Sequence, residues 1–424
     1  MATSDIEKNT APSESGEKED LMNLVGGDGP WQRWIFVVVV LCSIPDGCHN
    51  MAMSFYAPNI DHWCARPTDL NVSVQEWKDV ALPPGDQHCS RYKYFNLSDT
   101  PKDVNDTKQE ELIACDSWEY DNSVFVRTVL SEWNLVCDKE WLVSMSKSIF
   151  IAGFFFSAVI FGYLADRLLP ESPRWLLSQG KEDSAREILS KAAKRNGVNL
   201  SEIETKLKDT ILKTSKAHEN EDANTSVLQL FKPGLWKTSS IVFYLWFVNA
   251  FMYYGISYNT NELAGDPIKN FAMYGAVEIP AYIFTFFATH SKGRRNPLAL
   301  VLAGAGLSYL LLYPVPRDSC WITILSLIGK FSITSSFCIV YIFTAEIFPT
   351  VVRTVGLGAA SISGQIGSIT APFVRELGKA THPAIPQVVF GVLAATGGCL
   401  VMLLPETNNR RVPDTLTEAA EISR

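Results

Sequence analysis

Polar and apolar positions along this chain fall into separate blocks. Charge is concentrated before Trp31, between Ala57 and Trp141, between Asp166 and Leu235, and after Leu404. Between these blocks lie apolar runs of roughly 18–24 residues, the length at which an α-helix crosses a ~30 Å hydrocarbon layer. The pattern predicts helices over residues 34–57, 142–165, 239–257, 271–289, 297–315, 321–344, 355–373 and 387–404. Several contain Pro or Gly, which a membrane helix tolerates where neighbouring helices satisfy the freed backbone groups. The expected architecture is therefore an all-α membrane protein, a bundle of about eight transmembrane helices with one large extracellular loop.

Positive charge in the loops sets the orientation. Lys292, Arg294 and Arg295 crowd one short loop, the 166–235 segment is dense in Lys and Arg, and Arg410 and Arg411 follow the last run. The alternating loops carry only Lys269, only Arg317, and Arg375 with Lys379. The expected organisation is a disordered cytosolic tail (1–30), a first span (31–58), an extracellular loop (59–141) and a second span (142–167). A cytosolic helical loop (168–235), a six-span carboxy-terminal half (236–405) and a cytosolic tail (406–424) follow. The first 30 residues lack the apolar core of a cleavable signal peptide, so the first span is expected to act as an uncleaved anchor.

The outward loop carries the sequons at Asn71, Asn96 and Asn105, candidates for N-glycosylation. It also holds Cys64, Cys89, Cys115 and Cys137, an even number in an oxidising compartment, for which three pairings are open. In the 168–235 loop, Ser201 and Glu204 have capping-box spacing, and Ile203, Leu207 and Ile211 recur every four residues, predicting an amphipathic helix.

Composition removes several function classes. Hydrophobic residues make up 47% and charged ones 19%, with a net charge of −8 and no basic stripe, which excludes a nucleic-acid partner. No P-loop, HExxH or GxSxG motif occurs. No enzyme chemistry, cofactor or metal is therefore expected, and transport without a built-in ATPase is passive or coupled to a co-transported ion. The partners expected are a small organic ion and the lipid bilayer.

Ionisable side chains at bilayer depth are costly and mark functional sites. Lys147, Glu278 and Lys330 are the sixth, eighth and tenth residues of their predicted helices. Glu278 and Lys330 are expected either to line a polar path or to lock helices together as a fixed pair. On the 239–257 run, Tyr244 and Phe247 lie deepest among the aromatic residues, whose faces attract organic cations. Tyr253 and Tyr254, nearer the outer end, fit interfacial anchoring as well as binding. Gly356, Ala360 and Gly364 recur every four residues, a stripe on which helices approach closely.

Longer motifs carry a resemblance. Gly162-Tyr163-Leu164-Ala165-Asp166-Arg167 resembles the start of the major facilitator superfamily signature, with a degraded counterpart at Ser291–Arg295. Pro170-Glu171-Ser172-Pro173-Arg174-Trp175-Leu176 and Thr344-Ala345-Glu346-Ile347-Phe348-Pro349-Thr350-Val351-Val352-Arg353 are similar to motifs of the organic cation, anion and carnitine transporter family. Leu404-Pro405-Glu406-Thr407 resembles its terminal motif, and Gly26, Gly29 and Gln32 its amino-terminal one. The resemblance implies alternating-access transport of organic cations or zwitterions such as carnitine, by a multi-pass protein of the plasma membrane. It implies substrate contact on the helix of Tyr244 and Phe247, and a gate built from Asp166, Arg167, Glu346 and Arg353. Gln365 falls where cation-preferring relatives tend to carry an acid and anion-preferring ones a base. The chain departs from the family where Arg167 runs directly into Leu168, so that spans three to six are expected to be missing. The alternative is a truncated, non-transporting form that is inactive or associates with full-length relatives and modulates them.

Overall fold

The computed structural model describes residues 29–69, 71–93, 111–168, 173, 176, 181–198, 227–258, 265–316, 319–349 and 352–408, with backbone alone at 158–159 and 161–168. In chain order the elements are α1 (Pro30–Asn50), α2 (Met53–Tyr56), β1 (His62–Cys64), α3 (Val74–Ala81), β2 (Ser90–Tyr92), β3 (Leu112–Ala114) and β4 (Trp118–Tyr120). There follow α4 (Val129–Trp133), α5 (Trp141–Leu168), α6 (Glu182–Asn196), α7 (Trp236–Tyr258) and α8 (Pro267–Lys292). The last are α9 (Arg295–Leu311), α10 (Cys320–Ile347), α11 (Arg353–Thr370), α12 (Phe373–Ala380) and α13 (Ile385–Val401). A helix thus occupies each of the eight apolar runs. Pro30–Tyr56, Trp236–Tyr258, Pro267–Lys292 and Cys320–Ile347 are long and apolar enough to cross a membrane.

The chain divides into two compact units, Met1–His49 with Phe161–Ala223 and Asn50–Ile160 with Asn224–Arg424. In the first, α6 begins with Glu182 and Asp183 and ends with Lys194 and Arg195, charges that complement the helix dipole. Gly197 closes it at φ 74°, donating its N–H back to Ala193, a conformation that favours glycine. Its buried face, Ala185, Leu189, Ala192 and Ala193, packs with Leu176 and the partly buried Trp31. Asn196 accepts from the Trp31 N–H at 2.9 Å and donates to Gln32 at 2.8 Å. The amphipathic helix expected around Ile203, Leu207 and Ile211 lies outside the described residues.

In the second unit, the segment between α2 and α5 has its own small core. β1 pairs antiparallel with β4, and β2 with β3. The two ladders bring the four cysteines together as Cys64–Cys115 and Cys89–Cys137, selecting one of the three open pairings. Trp77, wholly buried, donates its indole N–H to the Cys64 carbonyl at 2.8 Å. Ser73 caps α3 by accepting from the Glu76 N–H, and Thr128 with Ser131 forms a capping box on α4. Asn71 is exposed beside the α3 cap. Asn96 and Asn105 lie outside the described residues.

The helices α7 to α11 and α13 pack around a single apolar cluster that includes Leu245, Trp246, Phe251, Leu302, Ile333, Phe343 and Phe390. Small residues set the closest approaches. On α11, a Cβ at Gly367 would collide with the Phe247 carbonyl of α7, and Ser363 donates to the Phe243 carbonyl at 2.8 Å. The outward face of α8 is apolar and exposed at Ile279, Ile283, Phe286 and Phe287, as a lipid-facing surface requires.

Candidate functional site

Helix spacing aims one face each of α7, α8, α10 and α11 at a common cavity of about 280 Å³. Trp246, Ala250, Tyr253 and Tyr254 come from α7, Tyr282 from α8, and Thr334, Phe337, Cys338 and Tyr341 from α10. Ser361, Gly364, Gln365 and Ser368 come from α11, and Asn50 completes the wall. On α10 these positions recur at three- and four-residue intervals below Lys330, a single helical stripe.

The aromatic wall is held edge to face. Trp246 meets Tyr341 at 4.3 Å between ring centroids and Phe337 at 6.2 Å, while Tyr253 lies 5.8 Å from Phe337 and 5.5 Å from Tyr254. These offset and edge contacts are the favoured geometry for aromatic quadrupoles. Polar anchors fix the rings. The Trp246 indole donates to the Thr344 hydroxyl at 2.9 Å, and the Asn50 amide donates to the Tyr254 hydroxyl at 3.0 Å.

Behind Tyr253 lies a charged pair. The Lys330 ammonium is 2.8 Å from the Glu278 carboxylate, and their side chains are 2% and 21% exposed. Lys330 also donates to the Ser257 hydroxyl at 2.9 Å and sits 3.6 Å from the Tyr253 ring centroid. The Tyr253 hydroxyl donates to the same carboxylate at 2.7 Å. A buried pair survives in a low dielectric only when such additional hydrogen bonds satisfy it.

Two ion clusters bracket the helices. At one end, Arg294 of the α8–α9 turn pairs with Glu346 of α10 at 2.8 Å, and the Thr407 hydroxyl donates to Glu346 at 2.6 Å. Glu406 accepts from the Arg294 and Arg295 backbone N–H groups at 2.9 and 3.1 Å, so it caps α9 from a distant part of the chain. Burial acts to raise its carboxyl, but the backbone donors of Arg294, Asn408, Arg295 and Thr407 hold it below the usual range. At the other end, Glu140 pairs with Arg375 of α12 at 3.2 Å and with Lys379. Ser144 and Ser148 of α5 donate to Glu376 at 2.8 Å and to the Ile369 carbonyl at 2.7 Å.

Among the residues singled out from sequence, Gln365 lines the cavity, and Glu278 and Lys330 stand behind its Tyr253 wall. Tyr244 and Phe247 are placed on another face of α7. The Tyr244 hydroxyl bonds the Leu393 carbonyl at 3.1 Å and Thr396 of α13, while Phe247 stacks on Phe251 at 5.5 Å. Lys147 is 4% exposed, with its ammonium 5.8 Å from the Tyr258 ring, away from the cavity lining. Glu346 belongs to the Arg294 cluster, and Arg353 opens α11. Asp166 and Arg167 occupy the last turn of α5, and their side chains lie outside the described set. The cavity residues not singled out, Trp246, Tyr282, Phe337 and Tyr341, share helical faces with those that were. The spacings 246, 250, 253 on α7, 278, 282 on α8 and 330, 334, 337, 341 on α10 are the signal that finds them.

Residues 167–415 match the family described as sugar (and other) transporter. The chain is 30% identical to the organic cation transporter protein of Drosophila melanogaster, over 96% of this chain and 95% of that one. It is 25% identical to organic cation/carnitine transporter 2 of Rattus norvegicus (95% and 94%) and 25% identical to the beta-alanine transporter of Drosophila melanogaster (95% and 89%). A solved proton:xylose symporter of the major facilitator superfamily is similar at a TM-score of 0.44 and 17% identity, covering 66% of this chain and 63% of that one. The first alignment runs over 528 positions against the 424 residues of this chain, so at least 104 positions of that relative face none here.

Proposed function

Because the chain belongs to the sugar (and other) transporter family, and within the major facilitator superfamily to the organic cation, anion and carnitine transporters, we propose that it carries small organic ions across the plasma membrane. Cations and zwitterions such as carnitine are the substrates, and alternating access around a mid-membrane site is the mechanism. Eight helices span the bilayer, two from the first half and six from the second, and the disulfide-bonded segment before α5 faces outward and is glycosylated. The observation that carries this reading is the cavity, where six aromatic side chains meet neutral polar groups over a paired charge. Aromatic faces bind quaternary and primary ammonium groups through the ring quadrupole, and sparse polar groups fix orientation.

The bracketing clusters suit gating of such a path. The Arg294–Glu346–Glu406 network staples the cytosolic ends of α8, α9 and α10 so that they move as one body. Glu140 with Arg375 and Lys379 clamps the outer end of α5 to α12 and opens when that end separates. A coupled ion remains part of the proposal.

Uptake of labelled carnitine and tetraethylammonium, in cells whose surface expression of the full chain is verified by biotinylation, tests the reading. Saturable uptake of at least one is expected. Surface protein without saturable uptake of either overturns it in favour of a second reading, a non-transporting chain that is inactive or modulates full-length relatives. That second reading draws on the positions missing from the alignment. Co-purification with a full-length relative, together with altered uptake by that relative, distinguishes modulation from inactivity.

A further inference from the structure

We propose that Cys89, Cys137 and His62 form a redox-gated metal site. With the Cys89–Cys137 disulfide reduced, the two thiolates and the His62 imidazole hold one zinc ion, and reoxidation expels it. The ligand atoms of the three residues lie within 4.8 Å of one another. They come from separate parts of the segment: His62 opens β1, Cys89 directly precedes β2, and Cys137 begins the short turn that leads into α5. His62 supplies an independent sign of a ligand. It is 8% exposed, and its Nε2 is buried with no hydrogen-bond partner, a costly state for a polar atom shut away from water. His88 lies beside it, 5.0 Å between ring centroids, with its Nδ1 engaged by the His62 carbonyl at 2.7 Å. Two sulfurs and one nitrogen are the donor set that zinc favours, with water in the fourth position.

The disulfide and the metal exclude each other because the thiolate is the metal ligand. A dithiol reductant attacks one sulfur of the Cys89–Cys137 bond, forms and resolves a mixed disulfide, and leaves as its own disulfide. Its two electrons stay with the cysteines, which become two thiols. Zinc then displaces both thiol protons to solvent as two Zn–S bonds and one Zn–N bond form. Reversal takes an oxidising disulfide, which accepts the two electrons and frees the ion. Tetrahedral ligation at ~2.3 Å sets the sulfurs about 3.8 Å apart, within reach of cysteines whose Cα atoms are 5.6 Å apart. Cys64 and Cys115 are buried whereas Cys89 and Cys137 are half-buried, so a reductant meets the Cys89–Cys137 bond first and β1 stays tied through Cys64–Cys115.

The full chain in lipid nanodiscs, oxidised or mildly reduced with a phosphine, is titrated with zinc and with cobalt(II), whose thiolate charge-transfer bands count the sulfurs bound. One reduction-dependent ion per chain is expected, with two thiolates on cobalt. His62→Ala is expected to weaken binding at least about 100-fold, more than loss of an outer-sphere partner costs. No stoichiometric ion in the reduced chain, equal affinity in the oxidised chain, or affinity within about twofold of wild type in His62→Ala overturns the proposal.

If His62→Ala fails to fold, the wild-type chain supplies the decision. Mass spectrometry follows maleimide alkylation in chains still closed at Cys64–Cys115, with the exposed Cys320 as reference. Zinc, relative to a chelator, is expected to slow alkylation of Cys89 and Cys137 roughly tenfold or more by occupying their thiolates. Alkylation of the two cysteines at the same rate with and without zinc overturns the proposal, as does opening of Cys64–Cys115 first.

Discussion

Glu140 and His62 show how single side chains outside the expected spans make stability depend on pH. Burial acts to raise the Glu140 carboxyl, yet Lys379 and Arg375 together hold it below its ordinary 4.5. Burial, then the neighbouring His88, lowers His62 below its ordinary 6.5. In both cases the unfolded chain binds the proton more readily than the folded one. Stability is therefore complete above the ordinary values and drains away as pH falls, from 6.5 downward for His62 and from 4.5 downward for Glu140. Thermal melts of purified protein at pH 7.5, 5.5 and 4 should show a falling midpoint, with Glu140→Gln losing the step below 4.5; a flat profile contradicts the assignment. Residue identity alone gave the buried charges, since Lys330 and Glu278 stand out in any apolar run. It did not separate Tyr253 from Tyr244, because both are aromatic and a helix turn decides which one faces the cavity.

At the scale of elements, the α7–α11 contact depends on the absence of side chains. Gly364 faces the Trp246 ring and Gly367 faces the Phe247 carbonyl, and the backbone oxygen cannot retreat as a flexible side chain would. Gly367→Val is expected to cost about 1–3 kcal/mol by overpacking, measured as a lowered melting midpoint and a loss of monodisperse protein on size exclusion. Wild-type behaviour would show the helices are free to part. A helix over each apolar run was legible because such a run leaves little alternative, four of them being long and apolar enough to cross a membrane, and the stripe of Gly356, Ala360 and Gly364 announced close packing. The disulfide pairing was not, because it depends on which strands meet. β1 finds β4 and β2 finds β3 across intervening chain, an arrangement with no local sequence signal.

For the molecule as a whole, the two disulfides close loops with sequence separations of 51 and 48. Closing a loop of this length contributes about 4 kcal/mol by the chain-entropy account. Because the core of the disulfide-bonded segment, Trp63, Trp77, Ala81 and Leu82, is small, reduction should melt that segment at temperatures where the α7–α13 cluster persists. Hydrogen exchange before and after a reductant would register this as lost protection over residues 61–121 alone; uniform loss throughout would refute such independence. The α9 cap carries a different kind of consequence. Its amino-terminal N–H groups are satisfied by a carboxylate 112 residues further along, so that partner does not yet exist when α9 first leaves the ribosome. At about 5–20 residues per second, Glu406 follows on the order of ten seconds later. Throughout that interval only water can serve the positive pole of the newborn helix, and the synthesis of Glu406 is what supplies its cap.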